Sequence, residues 1–87
     1  MTHRPDAARL LPWTSPGGNP CYLVGDGTGY VSRLADEVER VQLGMADELL
    51  AHADHMLAGN DARTRELRFL ARCLSDALRD VRRIAQR

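Results

Sequence analysis

Residues 32–59, SRLADEVERVQLGMADELLAHADHMLAG, decide how the rest of the chain is read. Leu34, Val38, Val41, Met45, Leu49 and Met56 recur at spacings of three, four or seven, the period of one helix face. Ser32 has the right side chain for an N-cap. Asp36, Glu37 and Glu39 place negative charge near the positive end of the helix dipole. Gly59 is a natural residue at which to stop. The stretch is therefore expected to form one long amphipathic helix over Ser32–Ala58.

The apolar arc of this helix is wide. Beside the first stripe runs a second: Ala35, Leu43, Ala46, Leu50, Ala53 and Leu57. Together they cover roughly half the circumference, more than one partner helix needs. Glu39 and Gln42 fall inside that arc, and buried polar residues of this kind often fix register or oligomeric state. Gly44, on the polar side, costs about 1 kcal/mol relative to alanine. It is neutral, or it admits a partner's backbone.

A second helix is expected over Ala62–Gln86, after a break at Asn60 and Asp61 with Asp61 as its N-cap. Leu67, Leu70, Leu74, Ala77, Val81 and Ile84 alternate spacings of three and four, and Ala71, Leu78 and Ala85 flank them. This is a coiled-coil-like seam. So short a connection makes the two helices antiparallel neighbours. Charge agrees: Ser32–Ala58 carries two Arg against six acids, and Asp61–Arg87 carries eight Arg against four. Antiparallel packing brings Asp36, Glu37 and Glu39 beside Arg79, Arg82, Arg83 and Arg87. Each exposed pair contributes only about 0 to 1 kcal/mol, and collectively they select orientation.

At 87 residues the chain is a single domain with a limited core. A two-helix hairpin of this size is marginal alone, and association remedies that. The expected architecture is mainly α: an antiparallel helical hairpin at 32–87 behind an N-terminal arm at 1–31, dimerising into a four-helix bundle. The second stripe, Leu43, Ala46, Leu50, Ala53 and Leu57, is the expected dimer interface.

Within the arm, Met1–Arg9 reads as a polar lead-in. Leu10–Pro20 (LLPWTSPGGNP) holds three of the four prolines, which argues against helix or central strand. Its Leu10, Leu11 and Trp13 are expected to wrap over the helices, with Trp13 on the second stripe or kept for a partner. Cys21–Val24 is a strand candidate. Gly25–Gly29 (GDGTG) is turn chemistry, and Tyr30–Val31 is a return strand, giving a short β-hairpin at 21–31.

Chemistry-bearing motifs are sparse. GDGTGYVS precedes a helix start, where backbone N–H groups can cradle a phosphate, but it departs from G-x-G-x-x-G and reads first as a turn. Glu48, His52 and His55 share a helix face, with Glu66 able to approach. They are weak metal candidates, since both H-E-x-x-H and the paired E-x-x-H pattern are missing. Cys73 reads as a small hydrophobe at the edge of the seam. The two cysteines make no zinc motif, and no nucleophile has an adjacent base. Free thiols and no apolar run of membrane length suggest a cytoplasmic setting; a Cys21–Cys73 disulfide is the alternative. No cofactor, metal or enzymatic role is assigned.

The most functional-looking feature is a ridge on the second helix. Arg65, Arg68, Arg72, Arg79, Arg82 and Arg83 share a sector of roughly 100° away from the seam. Such a ridge can bind an acidic protein surface, phosphates or nucleic acid. Its plainer reading is a solvated face that answers the acids of the first helix. Phe69 falls off the seam and is a further partner contact. The expected role is a non-enzymatic regulatory or interaction protein, a homodimer that binds a protein partner. Nucleic-acid binding is the alternative, and a small molecule or metal held within the bundle is the third. The net charge is zero and every basic residue is Arg.

PCYLVGDGTGYVSRLADEVERVQL, leading into a helical hairpin in an Ala-, Arg-, Asp- and Leu-rich chain, resembles small helical proteins of high-GC actinobacteria. That resemblance carries no catalytic motif and implies no site residues. It favours a small intracellular regulator.

Overall fold

The computed structural model describes residues 8–25 and 27–87. Two strands, β1 (Ala8–Thr14) and β2 (Pro20–Val24), precede two helices, α1 (Tyr30–Ala58) and α2 (Thr64–Ala85). The helices pack antiparallel: Glu39 near the start of α1 meets Arg87 just after α2, at 3.0 Å.

Both helices lie where the period places them, and their starts differ in instructive ways. α1 begins two residues early, with Gly29 as its N-cap. Ser32 is not the cap; it is 2% exposed, and its hydroxyl and carbonyl oxygens both accept from Arg9. α2 is capped at Arg63 rather than Asp61. There the Glu66 carboxylate reaches back to accept the Arg63 backbone N–H at 2.9 Å, the reciprocal half of a capping box.

The β-hairpin is not the one expected at 21–31. β2 pairs with β1, antiparallel, with Ala8 opposite Val24 and Leu10 opposite Tyr22. Tyr30 and Val31 belong to the first turn of α1. The closing turn is Ser15–Asn19: Gly18 N–H bonds the Ser15 carbonyl at 2.8 Å, and Gly18 takes a φ of 83° that favours glycine. Pro12, which argued against a strand, sits where the register shifts between Leu10 and Thr14. At a bulge its missing N–H breaks no ladder bond. Arg9, read as lead-in, is a strand residue; residues 1–7 lie outside those described.

β1 lies on the helices and buries Leu10, Leu11 and Pro12 in succession, with Trp13 half-buried. β2 alternates instead, Cys21 and Leu23 inward and Tyr22 and Val24 outward. Among the described residues the hydrophobic core is small: Leu10, Leu11, Ala35, Ala53 and Leu70 are its buried members. The Cα radius of gyration is 16.9 Å, whereas a compact domain of this length would give about 12 Å. Among the described residues, therefore, most of the helical pair has no third layer over it.

Candidate functional site

The arm end of the molecule is held by a charged cluster. Glu39 is 4% exposed. Arg9 Nη2 lies 2.8 Å from Asp36 and 3.1 Å from Glu39, and Arg87 Nε lies 3.0 Å from Glu39. Burial opposes the Arg9 charge, but Asp36 and Glu39 outweigh it and hold the guanidinium above the usual Arg range. The alignment is imperfect: Arg9 Nε and Nη2 and Glu39 Oε2 are buried with no well-oriented hydrogen bond. Beside the cluster Gln42 Nε2 and Arg83 Nη1 both donate to the Pro12 carbonyl, at 3.3 and 3.4 Å. The polar pair inside the apolar arc, Glu39 and Gln42, thus binds the arm.

Among the described residues the expected interhelical charge ladder forms at one rung, Glu39–Arg87. Asp36 takes Arg9 instead. Glu37 pairs within its own helix with Arg40, whose hydrogen bond holds the Glu37 carboxyl below the usual range. The Arg ridge is partly spent in the same way. Arg79 pairs with Asp76 at 3.0 Å, and Arg83, half-buried, with Asp80 at 3.4 Å. Asp76 and Asp80 lie off the ridge, but an Arg side chain is long enough to reach round. Among the described residues Arg65, Arg68, Arg72 and Arg82 are exposed and make no ion pair.

Phe69 is 64% exposed. Neither the seam nor the arm covers it. It lines an open groove at the loop end of the helices with Leu49, Met56, Leu70, Cys73 and Arg65. His52, His55 and Glu66 stand at the same groove, but Glu66 is committed to its cap. Glu48 lines a neighbouring cleft. Among the described residues no group of three or more His, Cys, Asp or Glu is placed to hold a metal. Cys21 and Cys73 are both free and half-buried.

The second stripe divides. Ala53 is buried within the chain and Ala46 is half-buried. Leu43, Leu50 and Leu57 are exposed at 44%, 57% and 72%, and across from them Leu67 and Leu78 are exposed at 41% and 68%. Among the described residues the arm reaches this row at Asp36, one heptad before Leu43, where Arg9 sits, and leaves Leu43, Leu50 and Leu57 in solvent. Sequence reasoning found α1's surplus surface but treated Leu67 as seam and Leu78 as flank. The signal for one shared face was the antiparallel register, which sets Leu43 level with Leu78 and Leu57 level with Leu67.

Among the described residues no helix is long and apolar enough to cross a membrane. Compared with protein families, with curated proteins and with solved structures, the chain has no match.

Proposed function

We propose that this is a small non-enzymatic interaction protein that works as a homodimeric helical bundle and holds a protein partner on its outer surface. One observation carries the reading: the arm leaves Leu43, Leu50, Leu57, Leu67 and Leu78 in solvent while the chain's own core stays small. An exposed, contiguous apolar face of this kind marks an association surface. The partner site is the loop-end groove, where exposed Phe69 stands beside unpaired Arg65, with Arg72 one turn beyond Arg68 on the ridge. An aromatic anchor flanked by Arg suits an acidic protein surface. The free thiols suit a reducing compartment such as the cytoplasm.

Native mass spectrometry of material from its own host, beside pulldowns with Arg65→Glu/Arg72→Glu and Phe69→Ala, tests this. The expected result is a twofold protein stoichiometry plus a partner that both variants lose without losing the dimer. Unchanged partner recovery would remove the groove from the account. Co-purifying nucleic acid, released steeply between about 50 and 200 mM salt, would shift the reading to the alternative that the Arg row serves a polyanion.

A further inference from the structure

We infer that the exposed leucine face is covered by the same face of a second copy, with the twofold axis parallel to the helices, so that each α1 lies against the other copy's α2. This rests on the self-association reading above and specifies its geometry. Three observations carry it.

The first is the layout of the face. The Glu39–Arg87 pair and the cleft shared by Leu49 and Cys73 fix the antiparallel register of the hairpin. In that register Leu43 stands level with Leu78, Leu50 with Ala71 and Leu74, and Leu57 with Leu67. The α1 members repeat every seven residues, the period that keeps a seam on one face of a bundle.

The second is size. The exposed leucines run from Leu43 to Leu57 and from Leu67 to Leu78, about 20 Å of helix at 1.5 Å per residue. A face that long and two helices wide covers roughly 400 Å² per copy, the size of a weak, reversible contact.

The third is charge, and it chooses between the two ways of stacking one hairpin on another. The outer border of the face along α1 carries Asp47 and Asp54, with Asp36 beyond them taken by Arg9. The two Arg on that border are turned elsewhere, Arg40 to Glu37 and Arg33 to the Thr28 carbonyl. The outer border along α2 carries Arg68, Ser75 and Arg82 and no acid; Asp76 and Asp80 turn to Arg79 and Arg83 on the other flank. An axis across the helices would lay α1 on α1 and set acid against acid, Arg against Arg. An axis along the helices lays α1 on α2 and puts Asp54 level with the second copy's Arg68, twice by symmetry. Like-charge borders are the costlier arrangement.

One consequence divides the Arg ridge. Arg68 borders the interface between copies and Arg82 stands at its arm-end edge, beside Leu10 and Tyr22, while Arg65 stays on the outer groove with Phe69. The two loop-end grooves then open at the same end of the dimer.

The loop position gives the test. Asn60→Cys, spin-labelled in a chain carrying Cys21→Ser and Cys73→Ala, reports the distance between the two connections by electron–electron resonance. Loops at one end should lie within about 20 Å, since packed helices are about 8–10 Å apart. Loops at opposite ends would be separated by about 30 Å or more, because an axis across the helices at Leu50 leaves each Asn60 ten residues, about 15 Å, beyond it. The longer distance overturns the arrangement while leaving self-association standing; a monomer at high concentration overturns both. In the native-cysteine chain, Asp54→Arg and Arg68→Asp should each weaken the dimer about threefold to tenfold at low salt. Combined in one chain they should recover it to within about twofold. Singles without effect, or a double that recovers nothing, overturn the pairing of α1 with α2.

Discussion

The two ends of the helical pair are finished differently. At the arm end, β1 supplies Leu10, Leu11 and Pro12, and Arg9 and Arg87 close on a buried Glu39. At the loop end, the same two helices carry Leu50, Leu57, Phe69 and Leu67 in solvent. Among the described residues, helices of similar amphipathic pattern thus receive a third layer at one end and none at the other. Apolar periodicity says how much surface a helix must hide, but not whether the chain itself provides the cover. What distinguishes the arm end is its polar content: Glu39 and Gln42 sit where a plain apolar stripe would run, and each meets an arm group.

The largest expected effect falls on the bare face. Leu43→Glu together with Leu50→Glu puts two charges into each protomer's half of the interface. Since each buried leucine contributes about 2 kcal/mol, association should weaken more than about 100-fold. The fold of one chain should move by no more than about 0.5 kcal/mol, because the positions are exposed within it. Sedimentation equilibrium beside circular dichroism reads both quantities. A variant that sediments like the parent would mean the bare end is simply wetted.

Next in size is Glu39→Ala, which attacks the covered end. It takes the carboxylate from Arg87 and leaves Arg9 with Asp36 alone, and removing one partner of a buried pair is strongly destabilising. Arg87 is partly exposed, so the loss should be about 2 to 3 kcal/mol in urea denaturation. Trp13, half-buried on β1 and alone of its kind, reports arm release as a red shift. A loss under about 0.5 kcal/mol with unmoved emission would show that apolar packing alone keeps the arm in place.

The smallest effect sharpens the contrast rather than breaking it. Gly44 lies mid-helix, and a Cβ added there would meet nothing within 4 Å. Gly44→Ala should stabilise the chain by about 1 kcal/mol and leave association as it was. Weakened association would mean that a second backbone comes close there, outside the leucine face.

Both helices were legible because their periods run for many turns. Their caps were less so. Ser32 is a good capping residue by type, but Arg9 claims it, and Gly29 takes over at no steric cost. The hairpin was misplaced because the chain holds two strong turn sequences, SPGGN and GDGTG, and local chemistry does not rank them. Pro12 then masked β1, since a bulge that tolerates proline leaves little trace in sequence. The Arg ridge was found by its sector, but a sector ignores side-chain reach, and Arg79 and Arg83 were partly spent. Arg9 was missed as lead-in. Its signal was the unexplained carboxylate of Glu39 within an apolar arc, which called for a cation from elsewhere in the chain.

Glu39 joins residues 9 and 87, nearly the whole sequence apart, through a single carboxylate. Contacts of such separation form late, because the intervening chain must be ordered first. The order of assembly is thereby constrained: the helices zip from their short connection, the last turn of α2 arrives beside Glu39, and only then is there a completed seat for the strand. Anything that frays that last turn therefore unseats a segment at the opposite end of the polypeptide.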